Sequence, residues 1–74
     1  MGSYILLLEN NQFAAFEPIS EKEVEVVPIE YKYACTFPTL EEASEEAKGI
    51  NNGKLNGVHM YSELKVISVL EVHS

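Results

Sequence analysis

The stretch from residue 37 to residue 49, FPTLEEASEEAKG, constrains the fold of this chain most. Thr39 is a good N-cap residue, and Glu42 three residues later completes a Thr-x-x-Glu capping box, so a helix should begin here. Gly49 or Gly53 can supply the left-handed residue that ends it. Apolar residues recur at helical spacing, at Leu40, Ala43, Ala47 and Ile50. We therefore predict one short helix with a narrow apolar stripe.

Strand patterns precede this helix. Residues 4–9 form an apolar run, and residues 12–17 return after Asn10-Asn11, a pair that tolerates the positive φ of a two-residue type I′ hairpin. In that register Leu8 faces Phe13, and Pro18 ends the second strand because it has no N–H for the ladder. Both faces of the hairpin are then apolar. One helix cannot cover both, so more of the chain or a second subunit must cover the other.

The middle of the chain changes its apolar parity at Pro28. Val24 and Val26 alternate before it, whereas Ile29, Tyr31 and Tyr33 follow the opposite parity. A bulge or bend explains this change. Residues 24–33 are therefore one kinked edge strand or two short strands, and we favour the single edge strand.

The region after the helix holds a turn-rich segment and a final strand. Residues 51–57 are rich in Asn and Gly, and residues 58–61 form a short strand or an irregular loop. Residues 64–72 carry apolar side chains on both parities, which is typical of a central strand covered on both faces. The order β-β-β-α-(β)-β predicts an α+β fold, a small antiparallel sheet of three to five strands with one helix packed on one face.

The size of the chain predicts one domain that spans residues 1–74. So small a core is often completed by a second copy, which makes a homodimer one expectation. Cys35 is the only cysteine, which excludes an internal disulfide and favours a reducing compartment. No apolar run reaches the roughly 18 to 20 residues that cross a bilayer, and no signal peptide is recognisable. We expect a soluble, cytoplasmic protein.

The charge pattern limits the classes of partner that this chain can bind. The net charge of −7 comes from twelve Glu and five Lys, with neither Asp nor Arg. Without Arg the chain lacks the planar fork that recognises phosphate and guanine, so direct nucleic-acid binding is not expected. Binding to an anionic membrane is disfavoured for the same reason. The partner that fits is a basic protein; the alternative is that the glutamates only keep the domain soluble.

Residues 33–43, YACTFPTLEEA, resemble a pattern found in short phage and prophage proteins of unassigned function. In those chains an opening hairpin precedes A-x-x-F-x-T-x-E-E-A, and a closing strand follows the helix. Residues 4–16 and 66–72 take those two positions here. The resemblance implies a phage or mobile-element accessory protein that inhibits or regulates a host protein, and it implies no functional residue.

Catalytic and metal chemistry are not indicated. His59, His73 and Cys35 are far apart, without the paired spacing of zinc ligands, and no Gly-rich phosphate loop precedes the helix. Acid–base catalysis needs carboxyls with separated pKa values in a cleft, and so short a chain has difficulty enclosing a pocket of about 300 Å3. We expect no metal, no cofactor and no enzymatic activity, with Cys35 a small core residue.

Two surfaces are candidate partner-binding sites. The first is the acidic helix face, where we expect four exposed, ionised glutamates: Glu41, Glu42, Glu45 and Glu46. Its like-charge pairs cost about 0.2–0.5 kcal/mol each, which the helix dipole partly offsets, so the cluster needs no functional cause. The second is formed by Tyr31 and Tyr33 on the predicted edge strand, since aromatic residues with a polar tip are enriched at interfaces. The alternative for these tyrosines is the rim of the core.

These patterns favour a non-catalytic acidic protein-interaction module. One alternative is a nucleic-acid mimic that blocks a DNA-binding protein, and another is a small subunit or ligand-binding domain with its site at a dimer interface. Mimicry predicts binding that weakens steeply with salt, whereas an apolar interface would respond little.

Overall fold

The computed structural model describes residues 2–73 as one helix packed on a six-stranded sheet. The elements in chain order are β1 (Gly2–Leu8), β2 (Phe13–Ser20), β3 (Glu23–Ile29), a 3₁₀ helix (Tyr31–Tyr33), α1 (Leu40–Asn52), β4 (Lys54–Leu55), β5 (Val58–Tyr61) and β6 (Val66–His73). The strand order is β4-β5-β3-β2-β1-β6, and β3 and β5 are parallel whereas the other neighbours are antiparallel. The α+β class with one packed helix is confirmed. The sheet is mixed, with more strands than predicted.

Helix α1 begins and ends as its sequence predicts. Thr39 Oγ1 accepts a hydrogen bond from the Glu42 N–H at 3.1 Å, and Gly53, with φ of 82°, ends the helix. No return bond to the Glu42 side chain, which would complete the capping box, occurs in residues 2–73. Ala43 and Ile50 are buried, but Leu40 is 53% exposed, so the buried stripe starts one turn later than predicted.

The opening hairpin has a register one residue from the predicted one. Leu7, not Leu8, lies opposite Phe13, and the Leu8 N–H donates to the Gln12 carbonyl at 2.8 Å. A type I′ turn needs positive φ at two successive residues. In this loop only Asn11 has it, with φ of 68°, so the loop is longer than two residues.

Strands β1 and β2 separate beyond the pair of Leu7 and Phe13, and the segment before the helix lies between them. The Cys35 N–H donates to the Ala14 carbonyl at 3.0 Å, while Tyr4 and Phe37 exchange backbone hydrogen bonds of 2.9 and 2.8 Å. The sheet curls around α1, because α1 contacts β1 and β6 at one end of the strand order and β4 and β5 at the other.

Strand β2 continues through Pro18, which corrects the prediction that Pro18 ends it. Pro18 lies opposite Val24, and a bulge follows before Ser20. The Lys22 carbonyl accepts from the His59 N–H at 2.7 Å, so alternate residues of β3, including Val24, face β5. Because the backbone groups of Val24 point to β5, those of Pro18 opposite it point away from β3. They lie on the side of β2 where β1 no longer pairs, so the missing N–H of Pro18 breaks no ladder bond.

Three strand assignments are settled by the sheet. β3 is one strand that contains Pro28, but it lies between β2 and β5 and stops at Ile29, so the predicted edge strand through Tyr33 is wrong. Residues 58–61 do form a strand. β6 lies at an edge, not in the centre, because within residues 2–73 it pairs with no strand other than β1, and Ile67 is 58% exposed on it.

The core lies between α1 and the face of the sheet that carries Leu6 and Leu8. Its buried members are Leu6, Leu8, Ala14, Val26, Phe37, Ala43, Ile50, Met60 and Val66. Asn51, near the end of α1, fastens the helix to β6. Its Nδ2 donates to the Val66 carbonyl at 3.0 Å, and its Oδ1 accepts from the Val66 N–H at 2.8 Å.

Candidate protein-binding groove

A groove of about 570 Å3 opens beside the middle of β3, and we call it the edge groove. Its lining comes from β2, β3 and the segment that leaves β5: Glu17, Glu25, Val26, Val27, Pro28, Tyr61, Ser62, Glu63 and Leu64. Val26 is buried on its floor, whereas Glu17, Glu25 and Glu63 are exposed at its rim. The groove exceeds the size expected for so short a chain because it is an open surface channel and not an enclosed cavity.

The edge groove exists because β5 is shorter than β3. β5 has four residues, and on β3 it pairs with no residue beyond Glu23, Val24 and Glu25. The chain then turns away at Ser62, whose Oγ accepts from the Leu64 N–H at 3.2 Å. Past Glu25, β3 keeps β2 on one side and, within residues 2–73, has no strand on the other.

The backbone of β3 presents acceptors to this groove. The carbonyl of Lys22, just before β3, binds the His59 N–H on the β5 side. The backbone groups of every second residue after it point the same way, including those of Val26 and Pro28. Pro28 has no N–H and therefore offers only its carbonyl. Proline is tolerated at a position of this kind because the free edge of a sheet requires no donor there.

Like charges meet at the rim of the edge groove. Glu17 and Glu25 lie directly opposite each other on β2 and β3, and both are exposed. Like charges at directly opposed positions destabilise a sheet. Glu63 adds a third carboxylate, and the lining contains neither Lys nor Arg. The rim is thus an uncompensated negative surface beside the apolar residues of the groove.

A polar cluster centred on Glu23 adjoins one wall of the groove. The Glu23 carboxylate accepts hydrogen bonds from Ser20 Oγ at 2.9 Å and from the Tyr61 hydroxyl at 3.0 Å. Both bonds lower the pKa of Glu23, and the bond from Ser20 has the larger effect. The bond to Glu23 raises the pKa of Tyr61. The His59 ring stacks on Tyr61 with ring centroids 6.3 Å apart.

The chemistry of this cluster favours positioning over proton transfer. A carboxylate with a lowered pKa is a weak base, so Glu23 is poorly suited to activate the Ser20 hydroxyl. A tyrosine with a raised pKa keeps its proton. The arrangement instead holds the Tyr61 ring in place as part of the groove wall.

The structure separates the four predicted helix glutamates into two environments. Glu41, Glu42 and Glu45 are exposed as expected, but Glu46 is half-buried, and its Oε2 is buried without a hydrogen-bond partner. Burial raises the pKa of Glu46, so the expectation that it is a freely solvated carboxylate is wrong. A depression of about 190 Å3 brings Glu42, Glu45 and Glu46 together and leaves Glu41 outside.

The predicted tyrosine pair lies on the 3₁₀ helix rather than on a strand. Tyr31 and Tyr33 are 56% and 60% exposed. The Tyr31 ring meets Phe13 edge-on at 5.6 Å, and Lys32 Nζ lies 5.1 Å from the centre of the Tyr33 ring. Neither tyrosine lines the edge groove, so the structure does not join the predicted sites.

Potential metal ligands are not clustered in the part of the chain that the structure describes. No group of three His, Cys, Asp or Glu side chains could hold a metal ion within residues 2–73. Cys35 is half-buried and packs against the core, as expected of a small core residue. Burial, and then the charge of Glu46, raises the pKa of its thiol and disfavours the reactive thiolate.

Sequence reasoning missed the edge groove, although one signal pointed towards it. Asn56-Gly57, with φ of 50° and 81°, forms the tight turn between β4 and β5, and Leu55 lies opposite Val58. Asn-Gly is the strongest short hairpin pattern in a sequence, and it would have defined both strands. No local pattern marks the parallel pairing of β5 with β3, which creates the groove.

Comparisons with family models, curated proteins and solved structures found no match for this chain. Within residues 2–73, no helix combines the length and the apolar character needed to cross a membrane.

Proposed function

We propose that this chain is a non-catalytic module that binds a basic protein partner in the edge groove. One observation carries the proposal: apolar residues of β3 and three exposed carboxylates line the same groove, and no lysine or arginine of the lining neutralises them. Apolar surface supplies binding free energy, while the charged rim steers and selects a partner of opposite charge.

The neighbouring chemistry supports binding over catalysis. Glu23, the carboxylate nearest to a hydroxyl group, has a lowered pKa and is already occupied by two donors. The thiol of Cys35 has a raised pKa. In keeping with the phage-like sequence pattern, we propose that the partner is a host protein which this chain inhibits or regulates in the cytoplasm.

The test uses two matched pairs of charge reversals in the full chain. The groove variant carries Glu25→Lys and Glu63→Lys at the rim of the edge groove. The helix variant carries Glu41→Lys and Glu45→Lys on α1, which is the same change in charge. Affinity capture from the native cell should recover a basic protein with the wild type and the helix variant but not with the groove variant. Equal recovery with both variants would refute binding in the groove.

A second candidate function, nucleic-acid mimicry, is favoured by the outer face of α1. Glu41, Glu42 and Glu45 are exposed there, and within residues 2–73 no lysine forms a salt bridge with them. Mimicry predicts that the helix variant, not the groove variant, loses a DNA-binding partner. It also predicts capture that falls steeply between about 50 and 200 mM salt.

A further inference from the structure

We infer that the occupant of the edge groove is an extended segment of the partner that adds to β3 as a strand and carries lysine or arginine on the side of the sheet that holds Glu17 and Glu25. This inference rests on the proposed function and specifies how the partner binds.

The position of the added strand follows from where β5 stops. β5 occupies the side of β3 as far as Glu25, opposite Tyr61, and β3 continues to Ile29. The open part, from Val26 to Ile29, spans about four residues, or about 13 Å at 3.3 Å per residue. An added segment of that length would continue the line of β5 beside β3.

The backbone of β3 in this gap has carbonyl acceptors that N–H donors of the partner can satisfy. Val26 and Pro28 direct their carbonyls to the groove side, and Pro28 has no N–H to offer in return. A partner strand satisfies such acceptors with its own N–H groups, which is how extended peptides add to exposed sheet edges. Because alternate N–H groups of a strand point to opposite edges, only one of its two sets can bind β3.

The two faces of the gap differ in chemistry and set the side-chain pattern. Glu25 and its cross-strand neighbour Glu17 lie on one face of the sheet, together with Val27. Val26 lies on the other face, which belongs to the core, and Leu64 packs against the same core. An added strand therefore has carboxylates on one face, at the end of the gap where β5 stops, and apolar side chains on the other face.

The charge of the first face selects lysine or arginine. Glu17 and Glu25 oppose each other without a cation in the lining, which is an unfavourable arrangement in the free protein. A cationic side chain at the Glu25 end of the gap would reduce this repulsion. The partner segment that fits therefore has a cationic residue on this face and apolar residues on the other.

The experiment measures binding of synthetic peptides to the full chain. The probe is a capped hexapeptide of alternating valine and lysine with a fluorescent label, and the readout is anisotropy at low salt. Two further peptides have the same side chains but carry N-methyl groups on either the valine or the lysine amides. One methylated peptide should bind at least about tenfold more weakly than the parent, because it loses the hydrogen bonds to β3, and the other should keep its affinity.

Controls separate strand addition from simple charge attraction. A hexapeptide of alternating valine and glutamate should not bind, and the groove variant should lose the parent peptide while the helix variant keeps it. Equal affinities for all three lysine peptides would overturn strand addition and leave charge-driven binding in place. No binding of the parent peptide would also overturn it, whereas the capture experiment would still decide the proposed function independently.

Discussion

Two consecutive glutamates of α1 illustrate how much a single position decides. Glu45 is exposed, whereas Glu46 is half-buried and has a buried oxygen without a hydrogen-bond partner. Burial raises the pKa of Glu46, and the charge of Glu46 adds to the effect of burial on the thiol of Cys35. Burial is the larger cause for Cys35 and the cause for Glu46, since a charge is less stable where water is partly excluded. The ionised form of Glu46 therefore weakens the fold at neutral pH.

Replacing Glu46 by glutamine should stabilise the protein at neutral pH. The neutral amide removes the charge from a partly dry site, and because solvent still screens it, we expect a gain of about 0.5 kcal/mol. Glu45→Gln is a matched control, because each change removes one like-charge i,i+4 pair of α1. Urea denaturation of the three proteins measures the difference; equal gains would mean that burial of Glu46 has no energetic effect.

The pH dependence of that gain has a defined sign. The pKa of Glu46 is raised in the folded state, so between the ordinary glutamate value and the raised value the folded state binds more protons. Its contribution to stability is complete below the ordinary value and is lost as the pH rises through the raised one. The advantage of Glu46→Gln should therefore shrink as the pH is lowered through this range. A constant advantage from neutral to acid pH would contradict it.

At the scale of the element, α1 is specified at its start, its middle and its end. Thr39 caps the first turn, Gly49 allows β4 and β5 to approach, and Asn51 binds β6. A helix of this length is marginal by itself in water, so these contacts and its buried stripe hold it in place.

Thr39→Ala should destabilise the protein by about 0.5–2 kcal/mol, because the Glu42 N–H loses its capping partner. Thr36→Ala, at an exposed threonine just before the helix, is the control and should have little effect. Thermal or denaturant unfolding checks both. Equal stability of the Thr39 variant and the wild type would place the start of the helix elsewhere.

Gly49→Ala should destabilise the protein although alanine is the better helix former. A Cβ atom at this position would lie 2.7 Å from Leu55 Cβ and 3.2 Å from Met60 Sδ. Alanine gains about 1 kcal/mol in helix propensity, but overpacking costs about 1–3 kcal/mol, so we expect a net loss of up to about 2 kcal/mol. Lys48→Ala, on the exposed side, should be nearly neutral. A stabilised Gly49 variant would show that the β4–β5 hairpin can move away.

At the scale of the whole molecule, what could be predicted from the sequence is what local chemistry decides. The start of α1 follows from Thr39 and the α+β class from strand patterns around one helix, while the sequence limited the end of α1 to Gly49 or Gly53, of which the structure uses Gly53. Such features depend on residues a few positions apart. The register of the first hairpin failed by one residue because it depends on the φ angle of one asparagine.

The remaining features depend on contacts between distant parts of the chain. Residues 35–37 enter between β1 and β2, and β5 pairs with a strand more than thirty positions earlier. Glu17 and Glu25 meet through the pairing of β2 with β3, and the segment after β5 adds Glu63, so the sequence could count these residues in the net charge but could not place all three together. The predicted site residues on α1 and at Tyr31 and Tyr33 were local clusters, which sequence reasoning finds most easily. Their role in binding stays a prediction.

The contact between Asn51 and Val66 covers part of an exposed edge of the sheet. β6 is a strand at the rim of the sheet with exposed Ile67, and such rims are templates for aggregation. The amide of Asn51 satisfies both backbone groups of Val66 much as a neighbouring strand would. The backbone groups of Val66 are therefore not free to bind a strand of a second chain. The end of α1 thus hinders the addition of further strands at this end of β6.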